Sequence, residues 1–384
     1  MYVAGIFGGD NRITVKQYGM VKTEGVILAL KKKGILKVVI DTDRESSKAN
    51  GKVVNLAPVT KEKPHQRSTL FDDLDALKSL FKEAKAVQRN IAHKVHDKKA
   101  LDIQEIENMT GKLVNAVIEN EEALWFMTRI REQDAYLLEH SLNVGVLLGL
   151  FSKFLGFEVS LINDLVLGGF LHDIGKLLIP EKILNKPGKL TALEYRVMQG
   201  HVMLSREIIK RQYSDISVFS LVALDNHHEK MDGSGYPYGK VGDDIPFFGK
   251  MITIVDVFDA ITAKRCYKPA MPNIAALRIL HKESGKSFDP YLVAEFIKFI
   301  GTYPAGTLVA LTSNNRSRLA IIECKNDSDP LKPIVKTFYN INTRNYMTIE
   351  SINLARPQCP FEIQQAVTAE EYNINMEELV ERCF

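Results

Sequence analysis

The sequence predicts a mainly α-helical protein, with a central helical domain between a small N-terminal α/β module and a short strand-rich C-terminal extension. Apolar residues recur three and four positions apart from Phe71 onwards, and helical patterns dominate residues 134–300. Short alternating runs appear at the start of the chain and beyond Gly301. We place domain boundaries at 1–67, 68–133, 134–300 and 301–384.

The N-terminal module is predicted from three short runs. "MYVAGIF" alternates like a strand, "EGVILALKKKGI" has helical spacing, and "LKVVIDT" is a β-branched run typical of a strand. Polar sequence and a connector containing Pro58 and Pro64 follow, which indicates a domain boundary.

Residues 68–133 form a predicted helical connector. One stripe of apolar residues is spaced for a helix face, and a second helical run covers residues 103–130. The stripe consists of Leu74, Leu77, Phe81, Ala84, Ile91 and Val95. Two interpretations stay open: the connector packs against the next domain, or it forms a homodimer.

The C-terminal extension, residues 301–384, is predicted from the runs "GTLVALTS" and "LAIIECK". Both have the short alternating pattern of strands. The extension is predicted to end in an acidic helix, "AEEYNINMEELVER".

Composition excludes several classes of function. With 45% hydrophobic and 25% charged residues and a net charge of +3 over 384 residues, the chain has a globular profile and no footprint for polymeric nucleic acid. The longest apolar run, residues 142–151, is too short to span a bilayer, and the N-terminus lacks a signal-peptide pattern. Four scattered cysteines lack disulfide or zinc spacing, so we expect a reduced, cytoplasmic protein.

The helical domain concentrates residues that bind metals. Five of the nine histidines and two aspartates lie in it: His140, His172, His201, His227, His228, Asp173 and Asp256. Each alone has a structural explanation, as a core histidine, a buried salt bridge or an exposed polar loop. Together, imidazoles and carboxylates favour iron or manganese over a thiolate zinc site. Seven ligands exceed the need of one catalytic ion, so two ions are predicted, as in phosphoesterases.

The stretch "NHHEKMDGSGYP" carries the histidine pair. Adjacent buried imidazoles would repel each other when charged, and metal ions remove that conflict by binding the neutral form. The alternative is an exposed pair beside Glu229 and Lys230. After the pair, Gly235 is expected to take a backbone conformation closed to other residues, so that the loop lies close to the site and presents Tyr236.

Four motifs in this order resemble the HD-GYP family, the HD-superfamily phosphohydrolases that hydrolyse cyclic di-GMP. They are "HDIGK", "HHEKMDGSGYP", "DVFDAIT" and "RCYKPAM", within residues 134–300. The resemblance implies an all-helical HD-superfamily domain. The N-terminal module is similar to a domain of unknown function that often precedes HD-GYP domains.

The resemblance also implies roles for individual residues. The metal ligands would be His140, His172, Asp173, His201, His227, His228 and Asp256, with Asp173 bridging two ions. Lys176 would lie at the scissile phosphate, and Arg265 and Lys268 would bind the phosphates of the dinucleotide. Asp259 would either orient water or support a ligand. Gly235, Tyr236 and Pro237 form the signature loop, which would shape the pocket and contact signalling proteins.

The implied activity is hydrolysis of cyclic di-GMP to pGpG, and to GMP after a second round, by a hydroxide that two divalent ions activate. Some family members carry a glutamate that supports a third ion, and Tyr136 stands at that position here. Two alternatives stay open. The substrate could be another cyclic dinucleotide such as cyclic GMP-AMP, or the protein could be a signalling adaptor with little turnover.

Overall fold

The protein is represented by a computed structural model that describes residues 2–7, 37–41, 74–128, 136–263, 271–313, 316–326, 329 and 331–383. Near the N-terminus, β1 (Tyr2–Phe7) and β2 (Lys37–Asp41) pair antiparallel. Both predicted strands of the N-terminal module are therefore confirmed. The helix predicted between them lies outside the described residues.

The connector forms three helices, α1 (Leu74–His96), α2 (Ile103–Glu119) and α3 (Glu121–Met127). The predicted second helical run is divided at Asn120, which ends α2 and precedes α3. The apolar stripe of α1 is buried and belongs to the same hydrophobic core as the helices that follow. Of the two interpretations of the connector, packing against the next domain is confirmed.

The central domain is helical, as predicted. Its helices are α4 (Tyr136–Phe154), α5 (Val159–Leu171), α6 (Glu181–Leu184), α7 (Ala192–Gln199), α8 (His201–Gln212), α9 (Val218–Asn226), α10 (Phe247–Thr262), α11 (Asn273–Lys282) and α12 (Pro290–Ile300). Short 3-10 helices cover Ile174–Leu178 and Gly242–Asp244.

Helices α4 and α5 pack backbone to backbone at the centre of the domain. A Cβ atom on Gly169 of α5 would lie 2.8 Å from the Cα atom of Gly145 on α4, so only glycine permits this approach. Close packing fixes the spacing of these two helices. The predicted ligands His140 and His172 are held by α4 and by the end of α5.

Helix α10 is buried on almost every side, as expected of a helix in the middle of a core. Met251, Ile254 and Phe258 are fully buried, and α10 packs against α4 and α9. Asp256 and Asp259 are therefore carboxylates inside an apolar helix, which requires polar partners for both.

The C-terminal extension forms a five-stranded antiparallel sheet in the order β6-β5-β4-β3-β7. Its strands are β3 (Leu308–Ser313), β4 (Arg316–Cys324), β5 (Ile334–Asn340), β6 (Asn345–Asn353) and β7 (Glu362–Val367). The two predicted strands correspond to β3 and β4. Strands β5, β6 and β7 were not predicted from the sequence.

The predicted acidic helix at the C-terminus is wrong in extent. A 3-10 turn covers Glu370–Tyr372, and a separate helix, α13, covers Met376–Cys383. Asn373 lies between them with φ of +52°, a left-handed conformation that no α-helix contains. None of the helices in the described residues is both long and apolar enough to cross a membrane.

Candidate metal centre and signature loop

Seven predicted metal ligands from five parts of the chain meet at one buried site. His140 comes from α4, His172 and Asp173 from the end of α5, His201 from the start of α8, His227 and His228 from the end of α9, and Asp256 from α10. Donor atoms of six of them form two groups, each within 4.8 Å: His140, His172 and Asp173, and Asp173, His201, His227 and His228. Asp256 lies beside both groups, with Oδ1 2.9 Å from Nε2 of His140 and Oδ2 3.6 Å from Nδ1 of His228. Asp173 is the member that both groups share.

The carboxylate of Asp173 lies between these two groups. Its Oδ2 atom is 3.3 Å from Nε2 of His172 and 3.7 Å from Nε2 of His140. Its Oδ1 atom is 3.3 Å from Nε2 of His201 and 3.7 Å from Nε2 of His227. Each oxygen thus faces a different histidine pair, which is the arrangement expected of a carboxylate that bridges two ions.

Two atoms of this cluster are buried without hydrogen-bond partners among the described residues: Nε2 of His172 and Oδ1 of Asp173. An unpaired buried polar atom is costly, and such atoms call for an ion or an ordered water. Both have lone pairs directed into the cluster, and imidazole and carboxylate suit divalent ions such as iron and manganese. The side chains therefore fit a metal site.

Backbone carbonyl groups orient three of the histidines. In each, Nδ1 contacts the carbonyl oxygen three residues earlier, at 2.6–2.7 Å. The pairs are His172 with Gly169, His201 with Met198, and His227 with Leu224. Because a carbonyl only accepts, Nδ1 carries the proton in each ring and Nε2 is left as the donor to a metal.

His140 is oriented by a carboxylate instead. Its Nδ1 atom contacts Oδ2 of Asp259 at 2.8 Å, and its Nε2 atom contacts Oδ1 of Asp256 at 2.9 Å. Burial disfavours the charged ring, but the two carboxylates outweigh it and raise the pKa of His140 to about 9. A metal at Nε2 would therefore compete with a proton.

The histidine pair after α9 lies within the cluster and not on an exposed loop, so the exposed alternative is wrong. His227 is fully buried, and 22% of the His228 side chain is accessible. Burial and neighbouring imidazoles hold the pKa of His227 well below its usual value, and burial lowers the pKa of His228 to about 3. Both rings are neutral at physiological pH, as metal ligands must be.

Lys176 lies at the edge of the cluster. Its Nζ atom donates to Oδ2 of Asp173 at 2.5 Å, and 18% of its side chain remains accessible. The short 3-10 helix Ile174–Leu178 brings Lys176 to the same side of the chain as Asp173. For the buried Asp173, burial would raise the carboxyl pKa, but His172 and Lys176 hold it well below its usual range.

The signature loop folds back over the histidine pair. The ring of Tyr236 lies 4.6 Å from that of His228 and 6.1 Å from that of His201, measured between centroids. The expectation that Gly235 adopts an unusual backbone conformation is wrong, since its φ is outside the left-handed region. Glycine is needed for space: a Cβ atom there would lie 2.4 Å from Lys230 N and 2.6 Å from His228 O.

Glu229 holds the residues that follow the signature loop close to the histidine pair, a role that was not predicted from the sequence. Its side-chain oxygens accept hydrogen bonds from the backbone N–H groups of Tyr238, at 2.7 Å, and Lys240, at 2.9 Å. Lys240 in turn donates to the side-chain oxygen of Asn226, just before the histidine pair, at 2.6 Å. The one indication of this role in the sequence was an acidic residue directly after the two histidines.

The side chains of three predicted residues are not described. Arg265 and Lys268 lie outside the described residues, as does the segment around them. The side chain of Tyr136 is likewise not described, although its backbone begins α4.

Comparison with known proteins places this site in a family. Residues 126–292 match the model of the HD domain, and residues 1–106 match a domain of unknown function (DUF3391). A cyclic di-GMP phosphodiesterase of Pseudomonas aeruginosa is 30% identical over 317 residues, which cover 82% of this chain and 75% of that protein. The chain belongs to the HD-GYP family.

Other relatives match shorter stretches of the chain. A 3'3'-cGAMP-specific phosphodiesterase of Vibrio cholerae is 46% identical over 123 residues, 32% of this chain and 24% of that protein. Among solved structures, an HD-GYP protein from Bdellovibrio bacteriovorus covers 78% of this chain and 94% of its own, with 15% identity and a TM-score of 0.46.

Proposed function

We propose that this HD-GYP protein is a metal-dependent phosphodiesterase that hydrolyses cyclic di-GMP to pGpG and, in a second round, to GMP. The observation that carries the proposal is the position of Asp173, whose two carboxylate oxygens face separate histidine pairs. Family membership supports the phosphodiesterase reaction, and a relative aligned with 82% of this chain is a cyclic di-GMP phosphodiesterase.

The proposed cofactor is a pair of divalent ions, iron or manganese, held by the seven histidine and aspartate side chains of the cluster. When bound, such ions supply a nucleophilic water at neutral pH and stabilise charge on the attacked phosphate. Asp173 would hold the two ions together, and the backbone carbonyls would keep the histidine rings oriented. Tyr136 stands where a third-ion glutamate would be required, which supports two ions.

The chain's own residues would position the substrate. Lys176 is partly accessible beside Asp173, so its ammonium group is placed to bind a phosphate oxygen there. Tyr236 forms an aromatic wall over His228, which suits contact with the dinucleotide. Arg265 and Lys268 are proposed to bind the second phosphate on the basis of the family motif.

Asp259 is proposed to support His140 rather than to orient water. Its Oδ2 atom contacts Nδ1 of His140, the ring nitrogen opposite the one that faces the cluster. A carboxylate in that position fixes the ring and increases its basicity towards a metal.

The test is hydrolysis of cyclic di-GMP by protein purified without oxygen, with the metal content determined on the same sample. Turnover with about two iron or manganese ions per chain, lost in His172→Ala/Asp173→Ala, is the expected result. Lys176→Met should raise the Michaelis constant while the metal content stays unchanged. Two bound ions with no turnover on any cyclic dinucleotide would support a signalling adaptor and contradict the proposal.

A second candidate substrate is 3'3'-cGAMP. The relative from Vibrio cholerae that is specific for it is 46% identical over the 123 matched residues, a higher identity than the 30% of the Pseudomonas protein. Side-by-side kinetics on cyclic di-GMP and 3'3'-cGAMP decide between them, since the better substrate has the larger kcat/KM.

Three further expectations stay predictions. They are contact of the signature loop with signalling proteins, a homodimer, and a cytoplasmic location. The first is testable with Tyr238, whose exposed ring directly follows Pro237 of that loop. Tyr238→Ala should weaken capture of a partner protein without changing the metal content.

A further inference from the structure

Two polar side chains interrupt the buried apolar stripe of α1. Lys85 is 8% exposed and Gln88 is 6% exposed, while their neighbours Ala84, Val87 and Ile91 are buried and apolar. Burying an ammonium group is unfavourable unless a partner compensates its lost hydration. Both side chains are paired, and both partners lie on the helices that hold metal ligands.

Lys85 contacts α4 beside a ligand. Its Nζ atom donates to Oε1 of Glu139 at 3.2 Å, and both side chains are buried, with 10% and 7% accessible. Glu139 immediately precedes His140 in the chain. An ion pair shielded from water is much more sensitive to geometry than one on the surface, so it fixes α1 against this turn of α4.

Gln88 contacts the end of α5. Its Nε2 atom donates to the carbonyl oxygen of Phe170 at 2.7 Å. The last four carbonyl groups of a helix have no intrahelical partner, and Phe170 is in the last turn of α5. Its neighbour Gly169 uses its carbonyl to orient His172. Gln88 therefore completes the turn from which His172 and Asp173 project.

We propose that Lys85 and Gln88 are positioning residues that hold the two halves of the first ligand group, His140 on α4 and His172 with Asp173 after α5, at the spacing a metal requires. This inference rests on the proposed metal-dependent function. Because α1 contacts both halves through these two side chains, a displacement of α1 would change the spacing of His140 from His172 and Asp173.

The test measures Mn²⁺ affinity by isothermal titration calorimetry on the full chain after its metals are removed with a chelator. Lys85→Met and Gln88→Leu keep the volume and remove the polar contact. Each is expected to weaken Mn²⁺ binding about tenfold, the lower end of the effect of losing an outer partner of a metal ligand. Ile91→Ala, from the same buried stripe, is the control, and it should lower the melting temperature without changing the affinity.

Two further variants keep the proposal falsifiable. Lys85→Arg preserves the charge and should retain the affinity, whereas Glu139→Gln should weaken it as Lys85→Met does. If Lys85→Met does not fold, the neutral change Gln88→Leu decides. Unchanged Mn²⁺ affinity in the folded variants, or equal weakening in Ile91→Ala, would overturn the proposal. Since no substrate is used, a wild-type chain that binds Mn²⁺ but does not hydrolyse cyclic di-GMP would contradict only the proposed function.

Discussion

At the scale of single residues, Asp173 is the carboxylate between the two histidine groups, with one oxygen facing each. Asp173→Asn retains the shape of the side chain and removes its charge. We expect the metal content to fall from about two ions per chain to one or fewer. Turnover should fall by more than the roughly 10–100-fold loss that follows removal of a residue that only supports a metal ligand. Metal analysis and initial rates on the same preparation measure both.

The matched control for this change is Asp243→Asn. Asp243 has 53% of its side chain accessible, pairs with Lys250 at 3.4 Å and belongs to neither ligand group. It should leave metal content and turnover unchanged. Retention of two ions by Asp173→Asn would show that another side chain bridges them.

Asp259 is a buried acid for which two roles are possible, and the variant Asp259→Ala separates them. If it supports His140 through the 2.8 Å contact at Nδ1, Asp259→Ala should weaken Mn²⁺ binding by about 10–100-fold. If it orients a reacting water instead, kcat should fall while Mn²⁺ affinity is unchanged. Calorimetry together with kinetics at saturating Mn²⁺ separates these outcomes, and we expect the first.

At the scale of structural elements, the signature loop depends on the close approach of Gly235 to the backbone of residues 228–230. A Cβ atom at Gly235 would meet backbone atoms at 2.4–2.6 Å, and backbone cannot move aside as a flexible side chain can. Gly235→Ala should therefore destabilise the chain by about 1–3 kcal/mol. By displacing Tyr236, the same change should raise the Michaelis constant.

The control for Gly235→Ala is Gly111→Ala in α2, where a Cβ atom would meet nothing within 4 Å. Alanine is the better helix former, so this change should stabilise the chain by up to about 1 kcal/mol. Thermal melts and steady-state kinetics of both variants provide the comparison. A Gly235→Ala chain with wild-type stability and an unchanged Michaelis constant would show that the loop tolerates a side chain there.

The loop and the metal centre show what the sequence could predict. All seven side chains of the cluster could be identified because binding two ions would demand particular residue types, and the family motifs fix their order. Glu229 was missed because its function is to accept hydrogen bonds from Tyr238 and Lys240, which become its neighbours only when the loop closes. The space requirement of Gly235 arises in the same way, from a chain segment that returns to it.

The secondary structure likewise has parts that residue type predicts and parts that depend on contacts made on folding. Successive residues of β3 and β4 face two different buried clusters, so both strands need apolar residues, and these were recognisable in the sequence. Strand β6 is mostly exposed, so its sequence carries little apolar signal. The acidic C-terminal segment has helical composition throughout, yet the left-handed Asn373 divides it. Such a break depends on how the segment packs against the sheet, through residues such as Leu379 and Val380.

At the scale of the whole molecule, the connector, the helical domain and the C-terminal sheet share one hydrophobic core. Leu308, Ala310, Leu319 and Ile321 of the sheet belong to the same buried cluster as the helices. Trp125 of α3 also donates its indole N–H to the carbonyl of Ala305 at 3.2 Å. The boundaries predicted at 134 and 301 therefore do not separate independent cores.

The variant Gly306→Ala tests whether the sheet and the connector share one core. It lies just before β3 with φ of +79°, and a Cβ atom would lie 2.4 Å from the ring of Phe126 in α3. Gly306→Ala should thus separate the sheet from the connector and lower the temperature of a single cooperative transition that includes the metal-binding helices. Differential scanning calorimetry of the Mn²⁺-loaded chain measures this.

Gly188→Ala is the control that separates backbone strain from the collision with Phe126 in the lowered transition temperature of Gly306→Ala. Gly188 also has a positive φ, +112°, but no atom lies within 4 Å of the Cβ position. Both variants carry the backbone strain of a left-handed alanine, about 1–2 kcal/mol, and only Gly306→Ala adds the collision with Phe126. A larger loss in Gly306→Ala, in one transition, follows if the core is continuous. If the sheet were an independent domain, Gly306→Ala would shift a separate transition and leave that of the Mn²⁺-binding helices in place.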